Sequence, residues 1–265
     1  MALETIQVEN LSSLLNNLLA DGNPAIRWFR GQGCETRTLR PSLMRRLEPY
    51  DAARMIAMEE RLITRFRQRS LPFWPEGYPQ SDWEHLFAMQ HFGVPTRLLD
   101  WSEGVTAAAF FAADHDPRRC ECGRDDPCLP TIWVLDPIAL NRRNPRFDGY
   151  GDAISVFATS DEEVASWAPR TEETRFAPWP IALYGTHNSV RIAAQQGTFT
   201  VSGKDATPLE ETPAVAQHDG VLKKIVVNAT HKEVMSSLRT LGVTRASVYP
   251  DLTALSADIA TSEIV

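Results

Sequence analysis

The chain has 265 residues, 43% of them hydrophobic, which is enough for a substantial core, and no composition break forces two domains. Its net charge of −7 excludes the global basic footprint of a non-specific nucleic-acid binder, though not a local basic groove. There is no run of ~18 apolar residues, and the N-terminus lacks the charged-then-apolar pattern of a secretory signal, so a cytoplasmic protein without membrane association is expected.

In chain order, Leu11, Leu14, Leu15 and Leu18 predict a short amphipathic helix ending near Asp21-Gly22. Residues 1–24 are read as this N-terminal helix, and 25–265 as one domain. Ile26, Trp28 and Arg30 alternate with Arg27 and Phe29 as a strand does, and Gly31 and Gly33 interrupt the pattern directly after Arg30. A glycine there marks a close approach to the backbone, and the arginine beside it is a forked donor suited to phosphate, to carboxylate or to a structural ion pair.

Between 51 and 67, Ala52, Met55, Ile56, Leu62, Ile63 and Phe66 trace a helical stripe that also contains Glu59. A carboxylate in such a stripe needs a partner, with Arg30 or Arg97 as candidates, or a place at the edge of a cleft. Prolines make 71–80 an irregular connection.

The densest stretch of special-purpose residues is QHFGVPTRLLDW, 90–101. Asp82 is expected to cap a helix carrying Trp83, Leu86, Phe87 and Gln90, and Gly93 to end it. Pro95 then favours an extended 96–100, with Arg97 and Leu99 on one face and Leu98 and Asp100 on the other. A helix over 103–113, rich in alanine, should lie close to a sheet.

The insertion at 114–130 contains His115, Cys120, Cys122 and Cys128, spaced H-x4-C-x-C-x5-C. These four could supply tetrahedral zinc ligands, but the spacing is not a standard paired-knuckle one, and a solvated loop with reduced thiols is the preferred reading. Further on, strands are expected over 131–135, 181–184 and 224–227, and a loop over 141–150. A short helix is expected over 161–167, and two extended pieces around Gly197. Thr230 and Glu233 form a capping box for a helix closed by Gly242, and Asp251 caps a last helix.

No phosphate-binding G-x-x-x-x-G-K-S/T, H-E-x-x-H, G-x-S-x-G or strand-flanked G-x-G-x-x-G is present. Four blocks, WFRGQ, QHFGVPTRLLDWSEGVTAAAFFA, RIAAQQGTF and YPDLTAL, together resemble the FRG-domain family, from about Trp28 to Leu255. That family is found widely in bacterial and phage-related contexts, so the resemblance suggests a toxin or anti-phage effector by association only.

The block order also resembles the ADP-ribosyltransferase superfamily. It implies an α+β fold: a single mixed α/β domain with a split, mainly antiparallel sheet flanked by helices, and NAD as substrate. In that scheme Arg30 holds a phosphate, the Gly31 backbone faces the nicotinamide amide, and Ser102 helps fix the site. Gln32, Gln90, Arg97 and Gln195 complete the binding set. The acceptor, protein or nucleic acid, is left open.

The sequence departs from that pattern where the transferase glutamate is expected, because Arg191 stands there and neither Gln195 nor Gln196 carries charge. Glu59 or Asp100 would have to supply the carboxylate, with His91 donating to a phosphate or moving a proton. Two other classes stay open: a non-catalytic sensor pocket lined by Arg30, Arg97 and Gln195, and a nuclease using Glu59, His91 and Asp100 with a divalent metal.

Overall fold

The computed structural model describes residues 3–21, 26–74, 77–116, 120, 122–123, 127–185 and 190–263. Gly22 at the expected end of the first helix, Pro24 at the expected domain boundary and Pro75 in the irregular connection lie outside them.

Seven strands, β1 (Glu4–Val8), β2 (Trp28–Gln32), β3 (Leu98–Ser102), β4 (Thr131–Leu135), β5 (Ile181–Leu183), β6 (Gly197–Val201) and β7 (Leu222–Val227), form one sheet. Their order is β1-β7-β4-β2-β3-β6-β5. Every neighbouring pair is antiparallel except β1 with β7.

The helices are α1 (Leu11–Ala20), α2 (Ser42–Arg45), α3 (Ala52–Ser70), α4 (Asp82–His91), α5 (Val105–Ala113) and α6 (Pro137–Arg142) in the first part of the chain. They are followed by α7 (Val190–Gln195), α8 (Pro213–Ala216), α9 (His231–Thr240), α10 (Arg245–Val248) and α11 (Leu252–Glu263). The chain is therefore a mixed α/β fold around a mainly antiparallel sheet. Among the described residues no helix is long and apolar enough to cross a membrane.

Strand alternation sorts the core into two layers. In β4, Ile132 and Val134 join Ala108, Ala109 and Phe110 of α5, Leu11 and Leu14 of α1, and Val234 and Leu238 of α9. Trp133 and Leu135 face the other way, into a cluster with Trp28, Leu99, Trp101, Leu140 of α6 and Val215 of α8. Period-two patterning with both faces covered is why all five residues of β4 are buried. A third cluster packs Trp83, Leu86 and Phe87 of α4 against Phe199, Leu183 and Trp167.

Several local expectations change. The N-cap of α4 is Ser81, whose hydroxyl accepts from the Glu84 N–H, while Asp82 pairs with Arg67 and Arg170. The segment before Gly197 is helical over Val190–Gln195 rather than extended; Gln196, at φ 48°, ends it and only then does β6 begin. Pro137–Arg142 is a helix capped by Asp136, next to a stretch expected to be loop. β1 went unread because it is an edge strand whose only buried residue is Val8.

The capping box at Thr230 and Glu233 and the cap at Asp251 form as their spacing predicts. Gly31 explains the alanine-rich α5: a Cβ at position 31 would lie 1.8 Å from the Ala108 carbonyl oxygen and 2.6 Å from the Ala112 nitrogen. The close approach that this glycine marks is the helix itself.

Candidate functional site

β2 is paired with β4 along its whole length, and β3 with β6 along its own, but β2 and β3 meet in a single register pair, Phe29 with Ser102. Continued pairing would set Arg30 opposite Trp101 and Gly31 opposite Asp100. Those pairs are not made, and a cavity of about 930 Å³ opens there. Its walls include Phe29, Arg30, Gly31, Asp100 and Ser102 from the two strands, Gln90 and His91 from the end of α4, and Arg191 and Gln195 from α7.

Arg30 closes with its side chain the gap that the ladder leaves. Its Nη1 donates to the Asp100 carbonyl at 2.7 Å and stands 3.8 Å from the Asp100 carboxylate. The Gln90 side-chain amide donates to that carboxylate, and the Thr96 hydroxyl donates to the Gln90 carbonyl, so the acid is held from two sides. The Asp100 side chain keeps 53% of its surface exposed to the cavity, yet desolvation by the surrounding walls raises its carboxyl pKa and Arg30 opposes the rise. For Arg30, burial lowers the pKa and Asp100 opposes, but a guanidinium starts so high that it stays charged.

Three more arginines line the same cavity: Arg37, Arg45 and Arg191. Burial and then repulsion from Arg30 and Arg37 lower the Arg45 pKa, which is the signature of cations crowded together. Arg191 lies over the Tyr249 ring, 4.4 Å from its centroid. Among the described residues the Nε–H groups of Arg30 and Arg191 are buried without a hydrogen-bond partner. Among the described residues the lining carboxylates are Asp100 and Asp114, and Asp114 is already paired with Arg245. His91 is held below its usual pKa by burial and by Arg191, so it is neutral at pH 7. The site therefore carries a surplus of positive charge inside an acidic chain.

Glu59 and Arg97 are not part of this cavity. They form a buried ion pair at 2.8 Å, and Arg97 also donates to the carbonyls of Ser202 and Trp167, under the rings of Phe176 and Trp83. Of the two partners the sequence offered for Glu59 the structure uses Arg97, and the expectation that Glu59 could supply the carboxylate of the site is corrected, because it does not line the cavity. The pairing also separates Glu59 from His91 and Asp100, the three groups a metal-dependent nuclease would need together, and removes Arg97 from the sensor pocket.

Gln32, Ser102 and Gln195 do line the cavity, with polar groups engaged inside the protein. Gln32 accepts from Trp133 Nε1 at 2.8 Å. Ser102 donates to the Gln195 carbonyl at 2.7 Å, and Gln195 Nε2 donates to the Val248 carbonyl at 3.0 Å. They fix the shape of the wall. Arg37 and Arg45 were missed in sequence because they sit in a segment without periodicity; Arg191 was seen only as the residue standing where an acid was expected.

The thiols of Cys120, Cys122 and Cys128 converge with that of Cys34, not with His115, and all four Sγ atoms lie within 4.8 Å of one another. Such a group can hold a metal ion. His115 instead packs on Gly33 and lies 5.4 Å from the His231 ring. Cys34 and Cys128 are buried, so this end of the insertion is not a simply solvated loop.

A family model described as FRG domain matches residues 26–120. No curated protein and no solved structure matches the chain.

Proposed function

Because this chain is an FRG-domain protein, with the domain model covering residues 26–120, and because Arg30, Arg37 and Arg45 of that segment meet Arg191 in one cavity, we propose that the cavity binds a phosphorylated nucleotide of the NAD class. The convergence of four guanidinium groups is the observation that carries the reading. Set against the two lining carboxylates, they leave a surplus of two positive charges (4 − 2) among the described residues, which suits the two phosphates of a dinucleotide, and the cavity volume falls in the usual range for small-molecule sites, roughly 300–1,000 Å³.

The chemistry proposed is glycosidic cleavage with ADP-ribosyl transfer. Nicotinamide leaves with the bonding electrons, the ribosyl carbon becomes cationic, and an acceptor nucleophile bonds to it and gives up its proton. The chain's part is to hold the phosphates with Arg30 and its neighbours and to place the Asp100 carboxylate against the developing positive charge. Gln90 keeps that carboxylate oriented, and neutral His91 is able to accept the acceptor's proton.

The test combines binding and turnover. NAD, ADP and pyrophosphate are titrated into the protein by calorimetry, and free nicotinamide is followed chromatographically. Arg30→Ala should weaken NAD binding at least about tenfold, equal to ~1.4 kcal/mol. Asp100→Asn should keep binding and lose nicotinamide release. Binding without release by the unmodified protein selects the second reading, a nucleotide sensor, which is favoured by the fact that among the described residues no glutamate lines the cavity. Failure of all three ligands to bind ends both.

A further inference from the structure

The antiparallel ladder of β2 and β4 places Gln32 opposite Thr131. Two residues further out, the same register sets Cys34 level with Leu129 and beside Cys128. The chains do stay together there, since the Leu129 N–H donates to Glu35 Oε2 at 2.8 Å. Cys120 and Cys122, from the insertion, return to the same point and complete the cluster of four thiols.

A disulfide does not account for the grouping. None of the four is joined in a disulfide, and the Cys122 and Cys128 sulfurs are 3.2 Å apart, where a bond needs about 2.05 Å. Packing of thiols as small apolar groups does not account for it either, because that has no reason to bring four sulfurs to one centre. Tetrahedral Zn–S bonds of about 2.3 Å set neighbouring sulfurs ~3.8 Å apart, which is compatible with the 4.8 Å limit on the spread of this set.

We propose that Cys34, Cys120, Cys122 and Cys128 bind one structural Zn²⁺. Four thiols lose their protons to solvent, four Zn–S bonds form, and nothing is oxidised or reduced. With all four positions taken by protein, the metal is a staple and has no open position for a reacting water. Among the described residues, 114–130 contains no helix or strand, and the metal ties it to the end of β2. Cys122 also lines the arginine-rich cavity, so the staple fixes one wall of that cavity. The metal site stands whether or not a nucleotide binds beside it.

The experiment is metal analysis of the full chain purified under reducing conditions, followed by cobalt exchange and absorption spectroscopy. A single equivalent of zinc and a Co²⁺ spectrum with sulfur-to-metal charge transfer and strong tetrahedral visible bands are expected. Cys34→Ser should lose the metal, and His115→Ala should retain it. Should Cys34→Ser fail to fold, Cys122→Ser, at a half-exposed position, and the wild-type cobalt spectrum decide instead. Absence of bound metal, iron in place of zinc, or loss on His115→Ala with retention on Cys34→Ser would overturn the assignment.

Discussion

Glu59 and Arg97 show how a charge in an apolar stripe is resolved. Both are buried, and each of the arginine's two terminal nitrogens also donates to a backbone carbonyl. Removing one partner leaves an uncompensated charge in the interior, so Glu59→Gln should lower unfolding stability by about 3–5 kcal/mol in urea denaturation. Because neither residue lines the cavity, Glu59→Gln measured well below its unfolding temperature should bind nucleotide as the unmodified protein does. A large loss of affinity with intact stability would mean that the pair belongs to the site after all. At this scale the sequence was legible where desolvation forces a conclusion: a carboxylate inside a hydrophobic stripe needs an arginine. It was not legible for Arg37, which lies on an irregular segment, or for Arg45, which ends the four-residue α2, nor for Cys34, which the ladder register brings to distant cysteines.

At the scale of elements, the site depends on how β2 and β3 part and on how α4 ends beside them. The α4 helix carries His85 and, at its C-terminus, Gln90 and His91. His85 is fully buried; its Nδ1 lies 2.7 Å from the Ser81 carbonyl, its Nε2 has no partner among the described residues, and burial is the main cause of its lowered pKa. A histidine with a folded pKa below its unfolded value of about 6.5 takes up its proton first in the unfolded chain. Its contribution to stability is therefore fully present above ~6.5 and is lost as pH falls through the folded value. Urea midpoints should drop between about pH 7.5 and about pH 5.5, and His85→Leu should flatten that fall. His91 and His115 are shifted the same way, so the slope shrinks without vanishing. An unchanged slope would place the titrating group elsewhere. Helices with caps and stripes were readable here, whereas α7 was not: Val190–Gln195 makes less than two turns, and its end is set by the left-handed Gln196, a conformation that glutamine does not advertise.

For the whole molecule, a chain of net charge −7 concentrates four arginines around one opening. That arrangement costs mutual repulsion in the free protein, which adds to the larger effect of burial in lowering the Arg45 pKa, and an anionic ligand relieves it. Ligand present at about 100 times its Kd stabilises the fold by ~2.7 kcal/mol. For a domain of this size that corresponds to roughly 5–10 °C in Tm. The Debye length shrinks from about 10 Å at 0.1 M salt to about 3 Å at 1 M, so the part of the affinity that comes from charge should weaken across that range. Differential scanning calorimetry with NAD and with nicotinamide riboside, which lacks the second nucleotide and the phosphates, separates the contributions. The shift with NAD should shrink steeply with salt, and the riboside should give little at any salt. Equal, salt-insensitive shifts for the two ligands would mean that the cavity recognises the base and sugar, and that the arginines serve another purpose.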